Sequence, residues 1–293
     1  MARRFGVHTS ISGGLHLSLE RAHALGCTTL QIFSHNPRGW AVKKISHEDV
    51  SLFKLRRVNF DISPVYVHTS YLINIASGNE LLKRKSIDLL ATEMDRADKI
   101  GADYVVLHTG SASSDDKSTS MKRAISALNE IAEMKNWEAG LLIENTAGER
   151  GDISSTIAEL SEIIGGVKRS FVSGICLDTC HAFAAGYDIR SGSGIQKITG
   201  EIKKYVGFEK VKLIHLNDSK GAKGSCVDRH EHIGCGQIGE SGLSRFIHYQ
   251  PLRDVPLILE TPKKSESDDA MNLAKVRRML KMKRQFKIVK RSF

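Results

Sequence analysis

The sequence predicts an α/β protein built as a single (β/α)8 barrel, the TIM barrel. Eight short β-rich runs alternate with segments whose apolar residues recur at three- and four-residue spacing. No linker or low-complexity block divides the 293 residues, which contain only five prolines. A doubly wound open sheet is the alternative, but no G-x-G-x-x-G turn opens a helix here. Eight strands, each followed by a helix, favour one parallel barrel.

The predicted strands, in chain order, are F-G-V-H-T-S, T-L-Q-I-F-S, V-Y-V-H-T-S, Y-V-V-L-H-T-G, L-L-I-E-N-T, G-I-C-L-D-T, V-K-L-I-H-L-N-D and L-I-L-E-T-P. The clearest helical segments between them run from Leu81 to Ile100 and from Met121 to Trp137. The pattern therefore predicts one catalytic barrel domain, residues 1–274, followed by a basic tail, residues 275–293.

The net charge of +10 is concentrated at the C-terminus. Residues 275–293 hold nine basic side chains and no acidic one, and the remaining chain holds 34 basic against 33 acidic residues. Such a tail either contacts phosphates loosely or is a solvated end without function. An anion site in the barrel therefore needs another source of positive charge, and metal ions would supply it.

Composition indicates a soluble intracellular protein. Hydrophobic residues make up 41% and charged residues 26% of the chain, and no apolar run approaches the ~18 residues of a membrane helix. The N-terminus has basic residues without an apolar segment behind them, so a cytoplasmic location is expected. The five cysteines form no C-x-x-C pair and are predicted to be reduced thiols, although Cys226 and Cys235 flank a potential metal-binding stretch.

Nearly every predicted strand ends in a residue type that binds metals. In a TIM barrel the active site lies at these carboxyl ends. The candidates are His68, His108, Glu144, Asp178 with His181, His215, the loop residues Asp228, His230 and His232, and Glu260. Any one strand-end histidine is more often structural, and V-H-T-S occurs at both Val7–Ser10 and Val67–Ser70. Together, however, so many buried ionisable groups would be costly without cations.

The stretch V-D-R-H-E-H contributes three of these candidates. Asp228, His230 and His232 alternate along the chain, and alternate residues of an extended segment point the same way. An acid and two imidazoles on one side are typical of a metal half-site. Imidazole and carboxylate ligands without an obligatory thiolate favour Zn²⁺ or Mn²⁺.

The number of ligands favours a cluster of ions. Four carboxylates and at least five histidines suit two to three metals at three or four ligands each, especially if one carboxylate bridges. Four carboxylates against three divalent ions leave an excess of about two positive charges. Closely spaced divalent ions are the arrangement for displacement at phosphorus. The pattern therefore predicts phosphoester hydrolysis.

The chain resembles the endonuclease IV family of apurinic/apyrimidinic (AP) endonucleases, the deoxyribonuclease IV proteins. The resemblance runs from about Gly6 to Pro262 and is carried by L-D-T-C-H-A-F-A-A-G-Y-D, H-L-N-D-S-K and D-R-H-E-H-I-G, with I-E-N-T-A-G and L-E-T-P in support. It implies three Zn²⁺ ions, with Mn²⁺ as a substitute at one site. The implied ligands are His68, His108 and Glu144 at the first site; Glu144 (bridging), Asp178, His215 and Glu260 at the second; and His181, Asp228 and His230 at the third.

The resemblance also implies the reaction and its partners. The family hydrolyses the phosphodiester 5′ to an abasic site in double-stranded DNA, leaving a 3′-hydroxyl and a 5′-deoxyribose phosphate, and trims blocked 3′ ends. Glu144, Asp178 and Glu260 are the implied catalytic residues, and His232 is not an implied ligand. Arg38, Tyr71 and Leu72 match the residues that enter the DNA. The protein is expected to be a monomer that does not associate with membranes and that is bound to the nucleoid through its contacts with DNA.

Two other functions stay open at this stage. A sugar isomerase or epimerase can share this barrel and bind one or two divalent ions, but it has little use for a third site built from His181, Asp228 and His230. A non-catalytic protein that binds damaged DNA around a structural metal centre is the other alternative.

Overall fold

Eight parallel strands form the barrel in the computed structural model, which describes residues 2–113, 115–168 and 170–282. Their order in the sheet is β1, β10, β7, β6, β5, β4, β3, β2, and the bridge between His8 and Gln31 joins its two ends. The strands are β1 (Phe5–Val7), β2 (Leu30–Phe33), β3 (Val65–His68), β4 (Tyr104–Leu107), β5 (Gly140–Glu144), β6 (Val172–Asp178), β7 (Val211–His215) and β10 (Leu257–Leu259). The predicted (β/α)8 barrel is confirmed. A short antiparallel pair, β8 (Asp218–Ser219) and β9 (His230–Glu231), lies in the loop after β7.

A helix follows each barrel strand. The helices are α1 (Leu15–Ala24), α2 (His47–Asn59), α3 (Glu80–Ile100), α4 (Lys117–Met134), α5 (Ile157–Gly166), α6 (Thr179–Ala184), α7 (Gly192–Tyr205), α8 (Gly239–Ile247) and α9 (Asp268–Lys281). Their buried positions face the sheet, so that most of the apolar core lies between the sheet and the helices.

Capping residues, which the spacing of apolar residues does not reveal, set the ends of two helices. α3 ends at Ile100 as predicted, because Gly101 takes the left-handed conformation with φ of 70° and closes the helix. α4 begins earlier than Met121, since the Asp116 side chain caps it by accepting the Thr119 N–H at 2.8 Å. It also ends before Trp137, because Lys135 is already extended.

The barrel interior is filled by side chains. Tyr66, Val106, Leu142, Cys176, Leu213 and Ile258 form one buried cluster, contributed by β3, β4, β5, β6, β7 and β10. Strands buried on both faces read as continuous apolar runs rather than as alternating ones, which is the pattern in V-Y-V-H and Y-V-V-L. The interior is thus packed, and polar groups gather at the carboxyl ends of the strands.

The boundary predicted after residue 274 lies inside α9. Val276 and Met279 are fully buried, and Leu280 packs against the same core. The first part of the predicted basic tail is therefore the end of a helix that docks on the core through Val276, Met279 and Leu280, up to Lys281. Residues 283–293 of the predicted basic tail lie outside the described residues. Within the described residues, no helix combines the length and apolar character needed to cross a bilayer.

Candidate metal centre

The first set of predicted ligands meets around one oxygen of Glu144. The Nε2 atoms of His68, at the end of β3, and His108, just after β4, lie 3.3 and 3.1 Å from Glu144 Oε2. Glu144 ends β5 and is fully buried. The three side chains could hold one metal ion, because their nearest donor atoms lie within 4.8 Å of one another.

The second set shares Glu144 and lies around His215 at the end of β7. The His215 Nδ1 atom is 2.8 Å from Glu144 Oε1, 3.2 Å from Glu260 Oε2 and 3.9 Å from Asp178 Oδ2. These four residues form another group compatible with a metal ion. Oε1 of Glu144 faces this set and Oε2 faces the first, so each set has one oxygen of the carboxylate.

The third set lies between α6 and the loop that carries β9. Asp228 Oδ1 is 3.2 Å from His181 Nε2 and 3.4 Å from His230 Nε2. Both imidazole nitrogens are buried and make no hydrogen bond there, and neither does Glu144 Oε2. Buried polar atoms are rarely left without a partner, so each such atom needs an explanation.

The tautomers of the histidines supply that explanation. The Nδ1–H groups of His68, His181 and His230 donate to the backbone carbonyls of Thr69, Asn145 and Glu260 at 2.9, 2.9 and 3.1 Å. Each ring therefore directs an Nε2 lone pair into the cluster. Metal-binding histidines have this arrangement, with the second nitrogen held by a carbonyl or carboxylate. The donor set fits divalent ions that accept nitrogen and oxygen ligands.

Electrostatics favour cations at the same point. Burial lowers the pKa of the His181 imidazole, but the carboxylates of Asp178 and Asp228 outweigh burial and raise that pKa well above its ordinary value. Burial likewise raises the pKa of Glu144, but the imidazoles of His215 and His108 outweigh it and hold the pKa well below its ordinary value. The cluster therefore stabilises positive charge around an ionised Glu144.

Amide side chains fix the carboxylates of this cluster. Asn217 donates to Asp178 Oδ2 at 2.6 Å and accepts the Glu260 N–H at 2.8 Å. Asn145 accepts the Asp178 N–H at 2.7 Å. Asp178 also caps α6 by accepting the His181 N–H at 2.7 Å, so the motif L-D-T-C-H sets two candidate ligands at once.

Asp218 anchors the loop that supplies the third set. This buried carboxylate accepts the backbone N–H groups of Ser219, Gly236, Ile238 and Gly239 at 2.8 to 3.3 Å. Bonds of this kind to a carboxylate are stronger than neutral ones. The acid of H-L-N-D therefore holds both ends of the segment that carries Asp228 and His230.

His232 is in none of the groups of described residues that could hold a metal ion, whereas Asp228 and His230 are. The strand β9 ends at Glu231, one residue before His232. The His232 Nδ1 atom lies 3.0 Å from the Asn272 amide nitrogen of α9. Asp228 and His230 therefore lie together as expected, and His232 contacts α9.

Two residues of the site were missed in the sequence. The amide of Gln31 in β2 contacts both His215 and Glu260, at 2.8 and 2.6 Å, and His8 Nδ1 lies 3.6 Å from Glu260 Oε1. The repeated V-H-T-S stretch was a signal for His8. A single glutamine within T-L-Q-I-F-S gave none, because its contacts are with His215 and Glu260, which are distant in the sequence.

A groove of about 1030 Å³ opens above the cluster. Of the three predicted DNA-binding residues, Arg38 and Tyr71 are among the described residues that line it, and Leu72 is not. Tyr71 is 65% exposed, whereas Leu72 is half-buried beside Ser70. Arg229 and Lys263 also line the groove and add positive charge to it.

Helix α3 ties together the two loops that carry Arg38 and Tyr71. Glu93 is buried and accepts both the Ser70 N–H at 3.0 Å and a bond from His35 Nε2 at 2.6 Å. Ser70 in turn donates its hydroxyl to the Pro37 carbonyl at 2.7 Å. The two loops are thereby held as one unit at the edge of the groove.

All five cysteines are free thiols, in line with the prediction. Cys176 and Cys180 are buried beside the cluster, and burial raises the pKa of each thiol to about 12. Each sulfur also lies within 4.8 Å of ligand-type atoms, Cys176 beside Glu144 and His215, and Cys180 beside Asp228 and His230. The exposed Cys235 contacts the Lys275 ammonium group at 3.3 Å.

Known proteins resemble the chain along nearly its whole length. A family model described as a xylose isomerase-like TIM barrel matches residues 19–283. A probable endonuclease 4 of Halothermothrix orenii is 43% identical over 276 residues, which cover 94% of this chain and 99% of the relative. The crystal structure of endonuclease IV from Thermus thermophilus is similar with a TM-score of 0.83 and 37% identity, covering 94% of this chain and 98% of the other.

Sugar-converting enzymes share the architecture more distantly. The crystal structure of a D-tagatose 3-epimerase-like protein has a TM-score of 0.71 at 20% identity, covering 94% of this chain and 97% of that one. At this identity the likeness shows the fold alone.

Proposed function

The chain belongs to the endonuclease IV family, and on that premise we propose that it is a DNA-repair enzyme of base excision repair. It hydrolyses the phosphodiester 5′ to an abasic site in double-stranded DNA, leaving a 3′-hydroxyl and a 5′-deoxyribose phosphate. It also trims blocked 3′ ends. The 43% identity over nearly the full length of both chains supports this assignment over the sugar isomerase alternative.

One observation carries the proposal: nine separated ligand-type residues converge at the mouth of the barrel. Glu144 is shared by two of the sets, and Asp228 faces both His181 and His230. An isomerase or epimerase site with one or two ions would not need a further set built from His181, Asp228 and His230. Buried nitrogen lone pairs aimed at one carboxylate oxygen are costly unless a cation joins them. We therefore assign all nine residues to metal binding.

The proposed centre holds about three divalent ions, mainly Zn²⁺, with Mn²⁺ able to replace one. Bound there, the ions would activate a water molecule and neutralise charge on the attacked phosphate and the leaving 3′-oxygen. The protein's part is geometric. Glu144, Asp178 and Glu260 are fixed by buried hydrogen bonds and ring contacts, so little reorganisation is needed when charge develops.

The groove residues are proposed to select the damage. Arg38 and Tyr71 stand at the rim, where they can enter DNA next to a missing base. Extruding an abasic nucleotide is easier than extruding a paired one, because no base pair or stack is broken. Leu72 belongs to the same loop and is proposed to act with Tyr71, although it reaches the groove less directly.

The test is incision of a duplex that contains one stable abasic analogue. We expect a single cut on its 5′ side, a 3′ end that a polymerase extends, and no cut in the intact duplex. Glu144→Gln should lower turnover at least about a thousandfold, since loss of a shared ligand removes several kcal/mol of charge stabilisation. The matched control is Glu162→Gln, which changes an exposed carboxylate on α5 and should cut normally.

Metal counting separates this proposal from its alternatives. Elemental analysis of active protein should find about three divalent ions per chain. One ion or none in active protein would contradict the three-metal centre. Tight binding of the abasic duplex without any cut would instead support a non-catalytic damage-binding protein.

A further inference from the structure

We propose that Gln31 is a positioning residue for the second metal set, holding the ligands His215 and Glu260 in one fixed relation. The inference rests on the proposed metal function of this site. Gln31 is not a predicted metal ligand. Its amide bonds to His215 Nε2 and Glu260 Oε1, which are not the atoms of these residues that face the cluster.

The Gln31 amide contacts three side chains. Its Oε1 atom accepts the His215 Nε2–H at 2.8 Å, and its Nε2 atom donates to Glu260 Oε1 at 2.6 Å. The second amide hydrogen faces His8 Nδ1 at 3.0 Å. Gln31 is fully buried, so water does not compete for these bonds.

These bonds orient the atoms that face the cluster. With Nε2 of His215 protonated and bound to Gln31, the Nδ1 lone pair is the one left for a metal. With Oε1 of Glu260 bound as well, Oε2 is left on the same side. These two free atoms lie 3.2 Å apart. His215 therefore uses the opposite nitrogen from His68, His181 and His230, and Gln31 is the reason.

Only an amide satisfies both neighbours at once. The imidazole N–H needs an acceptor and the ionised carboxylate needs a donor, and a glutamine side chain offers one of each at its two ends. A carboxylate at position 31 would still accept from His215 but would face Glu260 with like charge. An apolar side chain would leave both partners buried and unpaired, which is costly.

Position 31 is also rigid. Gln31 forms the backbone bridge to His8 that joins β2 to β1, and its carbonyl accepts the Thr9 N–H at 2.8 Å. The side chain of Gln31 thus projects from the position at which β2 joins β1 and closes the barrel. A ligand pair held from a strand needs less ordering upon metal binding than one held from a loop.

The experiment compares Gln31→Met with wild-type holoenzyme, because methionine keeps the side chain's length but has no amide. Thr29→Val is the matched control: it removes a buried hydroxyl that bonds the Pro64 carbonyl, two residues before Gln31 in the same segment. Zinc is titrated away with graded chelator while a zinc-sensitive dye reports its release. Thermal unfolding of each protein is recorded in parallel.

We expect Gln31→Met to bind one zinc ion about 10–100-fold more weakly, the range for loss of a group that orients a ligand. The other zinc ions should keep wild-type affinity. Thr29→Val should lower the melting temperature without changing any zinc affinity.

Two results would overturn the role of Gln31. One is unchanged zinc affinity in Gln31→Met, and the other is equal weakening in Thr29→Val, which would mark a general loss of stability. Wild-type protein that holds no zinc and leaves abasic duplex uncut would refute the proposed function itself. The two failures are therefore distinguishable.

Discussion

The pair His230→Ala and His232→Ala tests the third metal set most directly. The two histidines are neighbours in D-R-H-E-H but lie in different surroundings. The His230 Nε2 atom is buried, makes no hydrogen bond and faces Asp228 Oδ1 at 3.4 Å. The His232 ring contacts the Asn272 amide at 3.0 Å. The same chemical change should therefore have very different effects.

The magnitudes follow from these contacts. Removing His230 takes one of three ligands from the set and should release its ion; losing ~4 kcal/mol of charge stabilisation corresponds to about a thousandfold in turnover. Removing His232 deletes one hydrogen bond of about 1 kcal/mol. Asn272 keeps its bonds to Thr261, Asp268 and the Ile233 N–H. We expect at most about a tenfold loss of activity and a melting temperature lower by about 2–4 °C.

The assay combines single-turnover incision of the abasic duplex with zinc content per chain and thermal unfolding. His230→Ala should lack about one zinc ion per chain and melt close to wild type once metal is removed from both. His232→Ala should keep every zinc ion. Equal metal loss in the two variants, or a His230→Ala protein with full zinc and normal incision, would refute the assignment of His230.

Two further predictions concern the groove and the C-terminus. Glu93→Gln should raise the KM for abasic duplex about tenfold, since a charge-assisted bond of about 2 kcal/mol to the loop residues His35 and Ser70 is weakened. In steady-state incision kcat should be unchanged, and elemental analysis should find the zinc content unchanged. An unaltered KM would contradict the role of Glu93 in holding the two loops together. Truncation after Met282 should weaken binding to damaged and intact duplex alike and flatten the log–log salt slope by about 0.9 per lost phosphate contact. Binding titrations at several salt concentrations check this, and an unchanged slope would leave residues 283–293 without a role in DNA binding.

Truncation after Met282 keeps a helix that the count of charged residues does not reveal. A deletion of residues 275–293, suggested by the run of basic residues, would remove Val276 and Met279 from the core. The last apolar residues of α9, Val276, Met279 and Leu280, lie among lysines and arginines, so the charge pattern hides the end of the helix. Arg278 pairs with Glu240 of α8 at 2.9 Å, and part of the basic segment is thus structural.

The barrel and most of its mouth could be predicted because they depend on local signals. Short apolar runs alternate with helical spacing, and the carboxyl ends of parallel strands meet at one face whatever the details of packing. Residues such as His68, Glu144 and His215 needed only that rule. Gln31 and Glu93 could not be predicted in this way, since their roles arise from contacts across the fold. The contact of His232 with Asn272 depends on where α9 packs, and the stretch V-D-R-H-E-H does not indicate that.

The proposed metal ligands differ in how deeply their side chains are buried, and this difference should affect how readily each ion is released. Glu144, Asp178 and His215 are fully buried at strand ends, whereas the side chain of Asp228 is 41% exposed on a loop. With the proposed ligands, ions held by the buried carboxylates would be shielded from chelators, whereas an ion at the third set would meet solvent through Asp228. Loops also open locally at lower free energy than packed strands. We therefore expect the ion bound by His181, Asp228 and His230 to leave first under a chelator, in step with the loss of incision. Time-resolved zinc release from wild type beside His230→Ala checks the order, because the variant should lack only the fast phase; a fast phase that persists in the variant would place the labile ion elsewhere.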